Sequence, residues 1–348
     1  IDVLRGRGTF VDERNIRVND KIFSANSFII ATGSKAFMPS ISGINQPYVM
    51  TSDDALQLEL VPKKLVIIGS GVIGLEMACI YNTLGSHVSI IEILPELLPQ
   101  LDKEIVSVLY EKLKQDGIEF YLGSKVERIE QGLTVNFVKD EVLHSIKCDA
   151  VLVAVGRVPN TTGLENLKLC MNGKYVRVDD YMKTNYEHIY AVGDITGYSK
   201  LAHVAAYQGT VAAYNATGHS KKADLSLIPN CIYTNPEIAW VGLTEKEARK
   251  RNIEVKIGRF PYSASGRAMS MGEKDGLVKI IAGAKYNEIL GMEVVGKNAT
   301  EIIHQGLMSI KNELTATEIS EMIHAHPTLS ECIKEACDEI LGMPTNKI

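Results

Sequence analysis

The sequence predicts an α/β protein built on a parallel sheet, with an α+β piece at its C-terminal end. Three observations lead to this. Residues 53–92, "DDALQLELVPKKLVIIGSGVIGLEMACIYNTLGSHVSIIE", run helix, strand, Gly-rich turn, helix, strand, which is the order and length of a βαβ unit. "DAVLVAVG" at 149–156 is a continuous apolar run, as a strand covered on both faces requires. From about residue 230 the pattern changes to "CIYTNPEIAWVG", "EVKIGRFPY" and "GLVKIIAGAKYNEILGMEVVG", which read as antiparallel strands. Two helices are expected to close the chain.

Taken in order, the first fifty residues alternate as strands do, in "VLRGRGTFVD" and "NIRVNDKIFSANSFIIATGS", with turn residues between. They read as the end of a domain that begins elsewhere. After the βαβ unit come a long helix at 102–116, a strand around "EFYLG" and a polar hairpin to about 147. "TLSECIKEACDEILG" is helical in pattern, with Leu329, Ile333, Ala336, Ile340 and Leu341 on one stripe and Gly342 as the stop. No repeat, low-complexity segment or long linker interrupts the chain.

A length of 348 residues suits two or three domains, each with its own core. Apolar residues make up 45% and charged ones 23%, and a net charge of -5 provides no field for polyanions, so nucleic acid is not expected as a partner. No apolar run reaches the ~18–20 residues of a spanning helix, and "IDVLRGRGTF" lacks the layout of a signal peptide. A protein without a membrane segment is expected. The cysteines at 79, 148, 170, 231, 332 and 337 have no disulfide-framework or zinc-ribbon spacing, which suits a reducing, intracellular compartment. Cys332 and Cys337 have the tempting Cys-x4-Cys spacing. On a helix, however, such positions lie about 140° apart around the axis and roughly 8–9 Å apart, out of disulfide reach.

Chemistry enters with "KKLVIIGSGVIGLE". Gly69 allows a tight turn, Gly71 lets backbone approach a pyrophosphate at the positive helix end, and Gly74 lets helix and strand pack closely. Glu92, 18 residues past Gly74, ends the next strand, where a carboxylate accepts from a ribose hydroxyl and repels a 2′-phosphate. NAD is therefore expected over NADP, the alternative being a purely structural glycine turn. "FIIATGS" and "HIYAVGDITG" also end apolar strands in small and acidic residues. By spacing alone each reads equally well as an ordinary strand-to-loop turn. "HAHPTLSE" at 324–331 has two readings. Pro327 suits a first helical turn and Thr328 with Glu331 forms a capping-box pattern; alternatively, a histidine beside a carboxylate is a base for thiol chemistry near neutral pH.

Taken together, "ATGS", the GxGxxG loop and "AVGDITG" resemble the two-dinucleotide flavoprotein disulfide reductases of the class I pyridine nucleotide-disulfide oxidoreductases. "GVIGLE", "VGRVPN", "LAH", "YTNPEIAWVG" and "HAHPTLSE" are similar, within them, to the dihydrolipoamide dehydrogenase (E3) family, and the resemblance runs the length of the chain. It implies FAD and NAD domains of Rossmann type followed by an α+β dimerisation domain. The expected segments are 1–53 and 161–228 for FAD, 54–160 for NAD and 229–348 for the interface. FAD contacts are implied at Gly8, Thr32, Gly33, Ser34, Asp194 (on the ribityl hydroxyls) and Lys200, Leu201, Ala202 and His203 (along the isoalloxazine). NAD is implied on Gly69, Ser70, Gly71, Val72, Ile73 and Gly74, with Glu92 on the ribose, Val126 and Gly156 alongside, and Glu76 as an acid on the flavin side.

The resemblance selects His326, not His324, as catalytic base, with Glu331 orienting it. It also implies oxidation of dihydrolipoamide by NAD⁺ through FAD and a redox disulfide. The family's first FAD loop and Cys-x4-Cys pair are expected on sequence ahead of residue 1, so residues 1–348 alone are expected to be inactive in disulfide exchange. A homodimer is implied, with His326 serving the other subunit. So are a lipoyl-domain partner from a 2-oxo-acid dehydrogenase complex or the glycine cleavage system, a cytoplasmic or mitochondrial-matrix location, and no metal. Competing readings are another NAD(P)H-dependent flavin disulfide reductase or a transhydrogenase, and a non-catalytic nucleotide-binding module.

Overall fold

A computed structural model describes every residue of the chain except Leu58, Pro344, Thr345, Lys347 and Ile348. The chain packs as two units, one of Ile1–Phe37 with Arg157–Ser226 and one of Met38–Gly156 with Leu227–Ile348.

In the first unit an antiparallel three-stranded sheet of Gly8–Asp12, Asn15–Val18 and Lys21–Ser24 leads into Phe28–Ile30, which pairs in parallel with Ile189–Ala191. Ser34–Ala36 then pairs antiparallel with Arg157–Pro159. Alternation sends Phe10, Ile30, Ile189 and Ala191 into one small core with Leu164, Leu167, Val176 and Ile195. The helix Ala202–Ala216 buries Val204, Gln208, Val211 and Ala212. Both strand ends Ile30 and Ala191 therefore run out at one edge, into Thr32–Ser34 and the 3₁₀ turn Gly193–Thr196.

The second unit contains the expected parallel sheet, in the order Val49–Met50, Ala150–Val153, Lys64–Ile68, His87–Ile91, Glu119–Tyr121. Its central strands are buried almost throughout, which is why they read as unbroken apolar runs. The helix expected from Asp53 is a single turn, Ser52–Ala55, started by a Thr51 capping box with Asp54. Lys103–Gln115 places Ile105, Val106, Leu109 and Leu113 on one buried stripe. It stops at Gly117 (φ 91°), where Ile118 N donates to Leu113 O at 3.0 Å and Gly117 N to Lys114 O at 3.0 Å, a Schellman closure. The polar hairpin is the three-stranded sheet Ser124–Glu130, Thr134–Lys139, Val142–Lys147. Its last turn uses Asp140 and Glu141, both at positive φ, without glycine.

The C-terminal antiparallel sheet has the order Asn230–Ile232, Ile238–Gly242, Ile289–Val295, Leu277–Gly283, Val255–Pro261. Helices cover the face that bears Val278, Ile280, Met292 and Val294. A Cβ on Gly258 would come within 1.9 Å of Ala336 O, so the helix Glu331–Ile340 lies directly on that strand. Three helices close the chain, not the expected two. Between Ala299–Lys311 and Glu331–Ile340 stands Ala316–Glu321, nucleated by a Thr315 capping box with Glu318.

Candidate functional site

The glycine loop joins the strand Lys64–Ile68 to the helix Val72–Thr83. Gly69 has φ 102°, and a Cβ there would lie 2.7 Å from Ala154 O, on the neighbouring strand's exit. At Gly74 a Cβ would lie 2.1 Å from Gly69 O, so helix and loop touch backbone to backbone. A Cβ on Gly71, by contrast, would meet nothing within 4 Å. Gly71 is the helix N-cap and no side chain caps it, so open space faces the first-turn N–H groups of Val72 and Ile73. Glu92 is buried beside them. Its Oε2 accepts Ser70 N at 2.7 Å and Ser70 Oγ at 2.9 Å, and its Oε1 accepts Leu94 N at 2.8 Å. Donors from an uncapped helix, open space at the middle glycine and a carboxylate at the next strand end suit a dinucleotide with a free ribose diol. The residues that follow, Ile93 and Leu94, are exposed and apolar and supply no cation for a 2′-phosphate.

This arrangement separates two substitutions. Gly74→Ala forces a backbone contact apart and is expected to cost about 1–3 kcal/mol, seen as a lower denaturation midpoint. Gly71→Ala has room and an extended backbone, and is expected to stay within about 1 kcal/mol of the parent while weakening nucleotide binding.

Gly156 (φ 126°) follows the strand Ala150–Val153, two residues beyond Ala154, and a Cβ there would meet nothing within 4 Å. Val126 packs its side chain into a core with Ile68 and Ile91, leaving only its backbone for a ligand. Glu76, on the helix Val72–Thr83, accepts Tyr233 N at 2.9 Å. Burial raises Glu76 above the usual carboxylate range, against the pull of that N–H.

In the first unit the two strand ends form a polar knot. Ser34 Oγ donates to Asp194, and Arg157 reaches Ser34 twice, through Nε to Oγ and Nη2 to O, both at 2.8 Å. Lys200 Nζ donates to Arg157 O at 3.0 Å. Asn160 closes the other side, its N donating to Gly33 O at 2.9 Å and its Nδ2 to Thr32 O at 3.3 Å. Gly193 (φ 76°) turns the chain, and its N–H is taken by Gln208 Oε1 at 2.7 Å. Thr32 Oγ1 is buried without a hydrogen-bond partner, as a hydroxyl awaiting a ligand atom would be. Leu201 is the uncapped N-cap of the helix that begins with Ala202 and His203. Gly8 is paired with Val18 on the first strand, and a Cβ on Gly163 would lie 2.4 Å from its carbonyl oxygen. Sequence reasoning overlooked Arg157, Asn160 and Gln208. The signal for the first two was present, since "VGRVPN" follows an apolar strand as "ATGS" does.

In the second unit, His326 Nδ1 lies 2.9 Å from Glu331 Oε1, and Thr328 N donates to Glu331 Oε2 at 2.7 Å. The capping-box expectation is half corrected. The helix begins at Glu331 with Ser330 as N-cap, and Thr328 Oγ1 donates back to Ala325 O at 2.8 Å instead of capping. Pro327 accordingly precedes the helix, joined to His326 by a cis bond. Burial opposes ionisation of Glu331, but Thr328 N–H and the His326 ring outweigh it and hold the carboxyl below its ordinary range. The imidazole itself is 78% exposed, so its second nitrogen, Nε2, is open to a substrate. His324 is exposed, with Nδ1 3.1 Å from Met322 O. Cys332 and Cys337 are free and buried on one helix, and burial raises both thiols, Cys332 to about 11 and Cys337 to about 12. Both therefore stay in the thiol form near neutral pH, and they form no disulfide with each other. No metal-binding cluster and no helix long and apolar enough to cross a membrane occur among the described residues.

A family model described as pyridine nucleotide-disulphide oxidoreductase matches residues 1–209, and that of the family's dimerisation domain matches residues 228–337. Dihydrolipoyl dehydrogenase of Bacillus subtilis is 38% identical over 350 residues, covering 99% of this chain and 76% of the relative. The dihydrolipoyl dehydrogenase of Thermus scotoductus is 40% identical over 350 residues, covering 98% and 75%. Among solved structures, the Cu(II) complex of the HOCl-induced flavoprotein disulfide reductase RclA from Escherichia coli matches with a TM-score of 0.88 at 28% identity, covering 95% of this chain and 78% of that one. LpdA from Mycobacterium tuberculosis matches at 0.86 and 27% identity, covering 96% and 76%.

Proposed function

Since this chain belongs to the pyridine nucleotide-disulphide oxidoreductase family, we propose that it acts as a dihydrolipoamide dehydrogenase, oxidising dihydrolipoamide to lipoamide with NAD⁺. The observation that carries this reading is the exposed imidazole of His326, fixed through Nδ1 at 2.9 Å from Glu331 within the dimerisation domain. FAD and NAD are the cofactors; the expected bounds 1–53 and 161–228 for FAD and 54–160 for NAD shift to Ile1–Phe37 with Arg157–Ser226 and to Met38–Gly156, because Val49–Met50 joins the parallel sheet and Arg157–Pro159 pairs with Ser34–Ala36. Thr32, Gly33, Ser34 and Asp194 would hold FAD, with Gly8 and Lys200–His203 alongside. Gly69–Gly74 and Glu92 would hold NAD, with Glu76, Val126 and Gly156 alongside. Bound FAD carries electrons between the thiol half of the reaction and the nicotinamide.

The chain's own part begins at Glu331. As a carboxylate it accepts from Nδ1–H, which leaves Nε2 with a lone pair. Nε2 takes the proton of a substrate thiol, and the sulfur becomes a thiolate able to attack a disulfide. The imidazolium is stabilised by Glu331 until it returns the proton to solvent. Thr328 N–H holds the other carboxylate oxygen, so the carboxylate cannot swing away. At the nucleotide loop, Gly71 admits phosphate oxygens to the helix N-terminus, and Glu92 selects the diol of NAD.

The protein works as a homodimer through residues 229–348, with His326 serving the partner's site, and takes its dithiol from a lipoyl domain in the cytoplasm. The test is NADH formation by the full-length FAD-loaded enzyme from dihydrolipoamide and NAD⁺. Reduced nucleotide should form readily as NADH from NAD⁺ and scarcely as NADPH from NADP⁺. No NADH from dihydrolipoamide, alongside turnover of another dithiol, would sink the assignment.

A further inference from the structure

Below the C-terminal sheet, on the face away from Met292 and Val294, the strand Ile289–Val295 carries Glu293, whose side chain is 0% exposed. Its register partners are Lys279 on one side and Trp240 on the other. Asp102, the N-cap of Lys103–Gln115, meets it from the parallel-sheet side. Asp102 N donates to Glu293 Oε1 at 3.2 Å, while Glu293 Oε2 is buried with no hydrogen-bond partner. The Asp102 carboxylate already accepts Lys279 Nζ at 2.8 Å and the N–H groups of Glu245 and Lys246, each at 3.0 Å.

The charged side chains around this point centre on Lys279. Lys279, 1% exposed, also meets Glu104 and, at 2.7 Å, Glu245. Arg259 meets Glu104 at 2.8 Å and Glu245 at 3.2 Å, and the exposed Arg249 reaches Glu245 alone. The strand Ile238–Gly242 presents Trp240, which does not titrate. Across the sheet, the helix Ala299–Lys311 keeps Glu301, His304 and Lys311 exposed and away from Glu293. One enclosed cation, Lys279, and the partly exposed Arg259 thus meet Asp102, Glu104 and Glu245, while no side-chain ion pair reaches Glu293 among the described residues.

We propose that Asp102 and Glu293 hold one proton between them at neutral pH, as a pH-sensitive latch whose deprotonation loosens Lys103–Gln115 from the C-terminal sheet. Two adjacent buried carboxyls cannot both ionise cheaply, and the proton settles on the one without a counter-charge. Burial, reinforced by the side-chain hydrogen bond and charge of Asp102 and opposed by the Asp102 N–H, raises Glu293 to about 9. Burial also opposes ionisation of Asp102, but Glu293 and Lys279 outweigh it and lower that carboxyl to about 2. The folded chain therefore keeps the Glu293 proton to about 9, whereas the unfolded chain releases it near 4.5. The stabilisation is complete below 4.5 and is lost as pH rises towards 9, the proton going to solvent. The joint ties the sheet that bears the glycine loop to the sheet beneath the His326–Glu331 segment, so alkaline pH loosens the frame that carries both.

The test compares denaturant unfolding of the wild type and Glu293→Gln between about pH 5 and about pH 9, where the amide stands for the protonated acid. Relative to the variant, the wild-type unfolding constant should rise by up to about tenfold per pH unit, leaving the variant the more stable at the alkaline end. Parallel curves overturn the proposal. Infrared spectra of the wild type give a second reading that needs no variant. A protonated-carboxyl stretch should persist at neutral pH and vanish on alkalisation, and its absence at neutral pH overturns the latch equally.

Discussion

His326→Gln lowers steady-state oxidation of dihydrolipoamide by roughly 10²- to 10⁴-fold, with flavin content and the denaturation midpoint unchanged; this is the expected result for a general base. The ring is mostly exposed, and its one side-chain partner is Glu331, so its replacement leaves no cavity and no buried unpaired group. An amide can still donate to Glu331, but it has no basic nitrogen to take a thiol proton at neutral pH. Because Glu331 is held below the ordinary carboxylate range, it remains charged across the working range and on into acid. The fall of activity on the acid side should therefore not follow Glu331. Glu331→Gln is expected to fall short of the full loss, since it removes the orienting charge and spares the base. Steady-state rates of the two variants check both expectations.

Lys279→Met is expected to destabilise the fold by about 3–5 kcal/mol, the usual cost of leaving buried carboxylates without their partner. The ammonium contacts Asp102, Glu104 and Glu245 from a fully enclosed position; without it Glu104 keeps Arg259, and Glu245 keeps Arg259 and the exposed Arg249. Asp102 would be left with backbone donors alone. Denaturant midpoints should show the loss at low and high salt alike, because a buried cluster is little screened. Adding Asp102→Leu to Lys279→Met should recover part of it, since the two residues share one interaction.

These two sites differ in how far they could be read in advance. The parallel strands declared themselves because Val, Ile and Leu must fill both faces, and Gly69 and Gly74 because one backbone passes within reach of another. The His326–Glu331 pair was legible through the family resemblance, the residues alone leaving a helix cap as the alternative. Its helix start was not, because "TLSE" suits a cap at Thr328 and at Ser330 equally well, and tertiary packing of Leu329 and Cys332 decided the matter. Lys279 gave no sign at all. In "GLVKIIAG" a lysine between apolar residues reads as the solvent face of a strand, and its partner Asp102 is 177 residues away. The third closing helix was hidden for a related reason, since Ala316–Glu321 is too short for periodicity and rests on its Thr315 cap. Arg157 reads as an ordinary strand residue until Ser34, 123 residues distant, is beside it.

The most direct test separates the two half-reactions. Full-length FAD-loaded wild type and His326→Gln are mixed anaerobically, first with dihydrolipoamide and then with NADH, and the flavin absorbance is followed. If His326 deprotonates the substrate thiol, the variant is slow with dihydrolipoamide, by the factor seen at steady state, and as fast as wild type with NADH. Equal slowing of both half-reactions, or of neither, would contradict that role.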